Sequence, residues 1–165
     1  KGEYAVAEVD ESDKSLVAFS PYAAVVTNAY RHALDAALAG KPLDPLWVSE
    51  TEKVSHRPYC TGFYFGDPGQ YYADATYFTE ADVAAVVESC DSDGNALLTQ
   101  RNKFYKGDVR ELLLPDAPPQ SFIAEHIFNA EGDEVEDTRH AMMELHMKLP
   151  RQAEPLAIVR KARET

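Results

Sequence analysis

Cysteine is scarce in this chain of 165 residues: Cys60 and Cys90 are the whole supply, thirty positions apart and outside any CxxC spacing. Neither a zinc ribbon nor a thiolate-held cluster can be assembled from two such residues, and the pattern fits a reducing, cytoplasmic setting. Long apolar runs are also missing. No stretch approaches the roughly 18 residues of a membrane-spanning helix, so the sequence reads as a chain with no membrane partner. Basic residues are few, 16 Lys and Arg against 28 Asp and Glu, for a net charge of −12. The acidic excess is shared equally between residues 1–81 and 82–165. A charge of that sign and spread opposes sequence-independent grip on a phosphate backbone, so any nucleic-acid contact has to be local. There is no GxGxxG after a strand, no GxxxxGK[ST] and no GxSxG, which removes the usual nucleotide-binding and hydrolase signatures. The opening Lys1-Gly2-Glu3-Tyr4 lacks the basic start and apolar core of a secretory signal, and the expectation is an excised or processed piece of something larger.

What is present is enough apolar and aromatic matter to fold. Hydrophobic residues make up 45% and aromatics 10% of the chain, well above what a disordered segment carries. From Ser20 to Ala39, apolar residues Ala23, Val26, Ala29, Tyr30, Ala33, Leu34, Ala37 and Leu38 recur every three or four positions. This predicts an amphipathic helix over about 21–39, with Ser20 as cap, Pro21 in the first turn and Gly40 as the stop. The segment Lys41 to Trp47 reads as an extended connector, followed by a short helix from Val48 to Ser55 capped by Ser49. Residues 56–70 mix Gly, Pro and the aromatics Tyr59, Phe63, Tyr64 and Phe65, and are expected to form a loop that docks on something.

Beyond Ala81 the pattern turns to strands. Val83–Cys90 and Ala96–Gln100 flank Asp91-Ser92-Asp93-Gly94-Asn95, a hairpin turn. Val109–Leu114, Ser121–Phe128, Ala141–Leu149 and Pro155–Lys161 complete a set of about six strands, predicting a small antiparallel barrel. In Met143 to Leu149 the apolar residues alternate with Glu144, His146 and Lys148, so one face is buried and one wet.

Chemistry-bearing constellations are thin. The histidines at 32, 56, 126, 140 and 146 do not form a ligand set, and His32 is expected to be an exposed or interface residue. Cys60 beside His56 and Arg57 is the best nucleophile candidate, though a small residue packed in a turn is the simpler account. The acidic stretch Glu131 to Asp137 lacks the order of a calcium loop and reads as a hairpin tip. No catalytic residue and no metal ligand is assigned.

Specific strings carry more. Val54-Ser55-His56-Arg57-Pro58-Tyr59-Cys60-Thr61-Gly62-Phe63-Tyr64-Phe65-Gly66 resembles a signature stretch of the collagenase-like peptidase family U32. Ser20-Pro21-Tyr22 through Asp35 is similar to the helix that precedes it in that family, and Arg101-Asn102-Lys103-Phe104-Tyr105-Lys106-Gly107-Asp108 to a hairpin of the family's C-terminal domain. The resemblance implies a parent with a TIM-like catalytic barrel. Residues 1–74 would be the tail of that barrel, and 75–165 an appended six-stranded antiparallel β-barrel similar to domain II of translation elongation factors. Family members are described as peptidases, that is hydrolases, or as RNA-hydroxylating proteins, and the branch most similar to this chain is that of tRNA 5-hydroxyuridine modification. An iron–sulfur cluster is implied for the catalytic barrel, and none in this chain, where Cys60 stands at a position usually held by Thr or Ser. Two roles follow: an accessory or substrate-docking module, or a purely structural or oligomerisation domain. The implied docking surface comprises His56, Arg57, Tyr59, Phe63, Tyr64, Arg101 and Lys103, and the implied partners are the parent's catalytic barrel, tRNA or another protein.

Overall fold

The computed structural model describes residues 21–54, 56, 59–60, 62–67, 82–115 and 117–161. Ser20, Arg57 and the expected boundary at 74/75 lie outside these residues. The first helix, α1 (Pro21–Leu38), ends where Gly40 takes a φ of 64°. The Lys41 N–H then reaches back to the Ala36 carbonyl at 2.9 Å, a left-handed glycine cap. The second helix, α2 (Pro45–Glu52), starts three residues before the sequence reading placed it. The Asp44 carboxylate accepts from the Leu46 N–H at 2.9 Å and Pro45 fills the first helical position, so what read as an extended connector is a helix start. Trp47 therefore lies on α2, buried, with its ring stacked on His32 of α1 at 3.7 Å.

Seven strands follow: β1 (Val83–Cys90), β2 (Asn95–Gln100), β3 (Val109–Leu114), β4 (Ala117–Ile123), β5 (Ile127–Phe128), β6 (Glu144–Lys148) and β7 (Ile158–Lys161). They form one antiparallel sheet in the order β4-β3-β7-β1-β2-β6-β5. The expected six-stranded barrel is thus corrected to a seven-stranded sheet that, among the described residues, does not close. The predicted strand Ser121–Phe128 breaks at Ala124–His126 into the end of β4 and the two-residue β5, which is too short to pair back onto β4. The segment 104–108 occupies that gap. The Gly107 N–H donates to the Ala124 carbonyl at 2.8 Å and the Lys106 N–H to the Glu136 carbonyl at 3.0 Å. Pro118 and Pro119 lie within β4, where an edge position tolerates their missing N–H groups.

The sheet curls around one apolar core that draws Ala85, Leu98, Leu112, Ile127, Leu145 and Val159 from six of its strands, with Phe104 from the gap segment. A smaller cluster of Val25, Val54, Leu113 and Ile158 sits on the outer face, where the helices cover β3 and β7. At the β1–β2 turn, Gly94 has a φ of 87°, and a Cβ there would lie 2.7 Å from the Leu149 carbonyl oxygen. Only glycine fits that close approach.

Candidate docking surface

The apolar side of α1 is wider than the face the sheet covers. Val25 and Ala29 are buried, whereas Tyr30, Leu34 and Leu38 are exposed, Leu38 to 78%. The periodicity marked all of these positions except Val25 without distinguishing two faces, and on the structure they split between a packed and a bare one. Leu43, between the helices, and Val48 on α2 add to this exposed apolar surface. A shallow groove of about 220 Å³ runs between the helices, lined by Ala29, Tyr30, Ala33, Trp47 and Val48 among others.

His32, expected at a surface or interface, is half-buried where α1 meets α2 and the end of β3: its ring lies on Trp47, and its Nε2 is 3.1 Å from the Pro115 carbonyl oxygen. Its role is to hold α1, α2 and the end of β3 together.

The loop after α2 is pinned at Tyr59. Its hydroxyl donates to the Thr51 carbonyl at 2.6 Å and its ring stacks on His56 at 4.3 Å, while His56 Nε2 lies 3.2 Å from the Glu52 carbonyl. Burial, followed by the nearby phenols of Tyr22 and Tyr30, raises the Tyr59 pKa above its ordinary value. Beyond Tyr59, Phe63, Tyr64 and Phe65 are each more than 80% exposed, with Tyr64 and Phe65 edge to face at 5.3 Å. Three consecutive aromatics left in water at a glycine-flanked turn form a patch of the kind that marks contact sites.

Arg101 and Lys103 belong to a second group on the segment following β2. Lys103 Nζ sits 3.0 Å from Asp137 Oδ2 and 4.8 Å over the Tyr105 ring. Arg139 takes the other Asp137 oxygen at 2.7 Å, and Lys106 pairs with Glu134 at 2.8 Å. Arg101 Nη1 lies 2.7 Å from Met142 Sδ. The hydrogen bond to Asp137 raises the Lys103 pKa, and those from Arg139 and Lys103 lower that of Asp137. The charges of Lys103, Lys106 and Arg139 are thus matched by carboxylates, while Arg101 lies against a thioether sulfur. The described contacts tie His56 and Tyr59 to α2, and Arg101 and Lys103 to the 137–142 turn, so the predicted surface resolves into two groups.

The acidic stretch behaves as a hairpin tip. Asn129 Oδ1 accepts from the Asp133 N–H at 2.8 Å, and Glu134 is engaged by Lys106 and by His126 at 2.7 Å. Among the described residues no group of three His, Cys, Asp or Glu is placed to hold a metal ion. Cys60 is exposed and Cys90 half-buried, and both are free thiols.

One constellation gave no short-range sequence signal. Arg160 on β7 and Glu50 on α2, 110 positions apart, meet in the interior at 2.9 Å, joined by Glu111 and Lys53. The trace it leaves is an arginine directly following the apolar run Ala157-Ile158-Val159.

Two family models match the chain in succession: peptidase family U32 over residues 17–74 and the peptidase family U32 C-terminal domain over residues 79–160. Among curated proteins, tRNA hydroxylation protein P1 of Bacillus subtilis (strain 168) is 30% identical over 149 residues, covering 86% of this chain and 35% of the relative. The tRNA hydroxylation protein P of Escherichia coli (strain K12) is 32% identical over 116 residues, covering 68% of this chain and 25% of the relative. The chain thus spans about a third or less of the length of these relatives. Among solved structures, the C-terminal domain of a Geobacillus thermoleovorans protein assigned to the U32 peptidases is 29% identical with a TM-score of 0.47, over 49% of this chain and 92% of that one.

Proposed function

Since this chain belongs to peptidase family U32, we propose that it is the non-catalytic C-terminal region of a larger tRNA-hydroxylating protein, an accessory module that docks on the parent's catalytic barrel. In this reading residues 1–74 complete the catalytic part, residues 75–165 form the appended β domain, and the parent works in the cytoplasm. The observation that carries it is the exposed apolar face of Tyr30, Leu34 and Leu38, together with the exposed aromatics Phe63, Tyr64 and Phe65. A helix that leaves large apolar side chains in water is shaped for a protein surface. The length of the relatives beyond the matched region supplies an occupant in the same polypeptide. His56, Arg57, Tyr59, Phe63 and Tyr64 form the docking edge. Arg101 and Lys103 stand apart as the place where a phosphate would be met.

Hydroxylation chemistry stays with the parent. An iron–sulfur cluster of the common kind takes four thiolates. The two cysteines here do not fit such a group, so its ligands belong to residues outside this chain.

Titration of the purified chain with tRNA across a salt series separates protein docking from RNA docking. The proposal predicts weak binding with a shallow salt slope, because Lys103, Lys106 and Arg139 are already paired with carboxylates. Tight binding with a steep slope, abolished by Lys103→Glu, would instead make the β domain an RNA-recognition module.

A further inference from the structure

The face that β3 and β7 turn toward the helices carries two cross-strand pairs in register. Glu111 stands opposite Arg160, and Leu113 opposite Ile158. The helical pair covers both. Val25 and Val54 pack on the apolar pair. Glu50 and Lys53 close on the charged one: Arg160 Nη2 lies 2.9 Å from Glu50 Oε1 and 2.8 Å from Oε2, Arg160 Nε donates to Glu111 Oε2 at 2.8 Å, and Lys53 Nζ donates to Glu50 Oε1 at 2.7 Å. Two carboxylates and two cations make the group formally neutral, and the Glu50 and Arg160 side chains are 1% and 2% exposed.

We infer that this buried cluster is a joint that fixes the α1–α2 pair on the sheet in a single orientation, with Arg160 as the residue that spans the two units. The apolar contact beside it is small and non-directional, so it holds the helices down without choosing where along β3 and β7 they sit. A guanidinium whose nitrogens are committed to carboxylates on different elements does choose, because its planar fork accepts few arrangements. Buried ion pairs contribute little net stability relative to apolar substitutes, and their best-attested use is to select one arrangement. Asn28 Nδ2, donating to the Leu114 carbonyl at 3.3 Å, and His32, against the Pro115 carbonyl, fix the same helix again at the far end of β3. The inference does not depend on the docking proposal. Its consequence is that the two successive family segments behave as one body, so whatever the helices dock against, the sheet is presented at a set angle.

The lone tryptophan makes this measurable, since Trp47 sits on α2 against His32 and reports the helical pair. Urea unfolding of the full chain is followed by Trp47 fluorescence and by far-ultraviolet circular dichroism of the sheet. In the native sequence the two transitions are expected to coincide. In Arg160→Met the Trp47 transition moves to lower urea than the sheet transition, and acrylamide quenching of Trp47 rises before any denaturant is added. Because that variant takes one cation away from the buried Glu50 and the half-buried Glu111 and leaves them to Lys53, a triple variant Glu50→Met, Glu111→Leu, Arg160→Met is run beside it. The inference expects its sheet to remain folded while Trp47 quenching stays elevated. A triple variant with the native Trp47 signal and coincident transitions would overturn the inference. So would loss of the sheet itself in the triple variant, or an Arg160→Met that lowers both transitions equally, since each makes the cluster a stability element and not an orienting one.

Discussion

Strands β3 and β7 are covered on both faces, while β2 and β6 are covered on one, and their sequences differ accordingly. Leu112, Leu113 and Leu114 are buried in succession, as are Ile158, Val159 and Arg160. In β6 the pattern alternates strictly, with Leu145 and Met147 inside and Glu144, His146 and Lys148 in water. A continuous buried run therefore signals a second layer, and here that layer is the helical pair. The same logic applied to α1 shows apolar side chains on two sides and a cover on one. Where β3 has its second layer in the helical pair, the Leu34–Leu38 face of α1 has none among the described residues.

The contrast is sharpest for equivalent substitutions at outward positions. Leu113→Ala, under the helices at 5% exposure, is expected to cost about 2–4 kcal/mol, and Leu97→Ala, half-buried on the open face of β2, about 1 kcal/mol or less. Chemical denaturation of the two variants checks this, and equal costs would break the comparison. Gly94→Ala, at the turn leading from β1 to β2, is expected to cost about 1–3 kcal/mol, because a positive φ is combined with a backbone oxygen in the path of the new Cβ. A thermal melt reads it. Pro119→Ala in the edge strand β4 is expected to stay within about 0.5 kcal/mol, since no second layer or ladder bond depends on it.

The smallest effect is acid sensitivity at the same turn. Asp91 is held below its ordinary value of 3.8 by hydrogen bonds from the Asn95 side chain first, then from the backbone N–H groups of Asn95 and Asp93. A carboxyl lowered by folding contributes stability that is fully present above its unfolded value and is lost as the pH falls through the folded one. Asp91→Asn is therefore expected to flatten the acid limb of a melting-temperature profile below about pH 4, with Asp137→Asn as the parallel case on the Lys103 side.

Much of this architecture is legible in short-range pattern. The 18 residues of α1, the Asp91–Asn95 turn and the alternation through β6 follow from periodicity and turn chemistry within a few positions. The misreadings share a cause: the deciding partner is distant or the signal is overridden by position. The two prolines of β4 are tolerated by its edge place, which no local window reveals. Sheet closure depends on whether β5 is long enough to reach β4. Asp44-Pro45 is a legible helix start, a capping carboxylate followed by proline, which the neighbouring Pro42 obscures. At the candidate site, the aromatic loop stood out by composition, and the pairing of Lys103 and Arg139 on one Asp137 did not, because it joins segments more than thirty residues apart.

The most direct test of the docking account is to produce the chain and the preceding region of its parent as separate polypeptides and ask whether they associate, comparing the native sequence with a Leu34→Glu, Leu38→Glu double variant. The account predicts a complex for the native pair on size-exclusion chromatography and its loss for the double variant, with the variant's β-sheet signal intact. A complex that survives both charges on the bare face of α1 would contradict it.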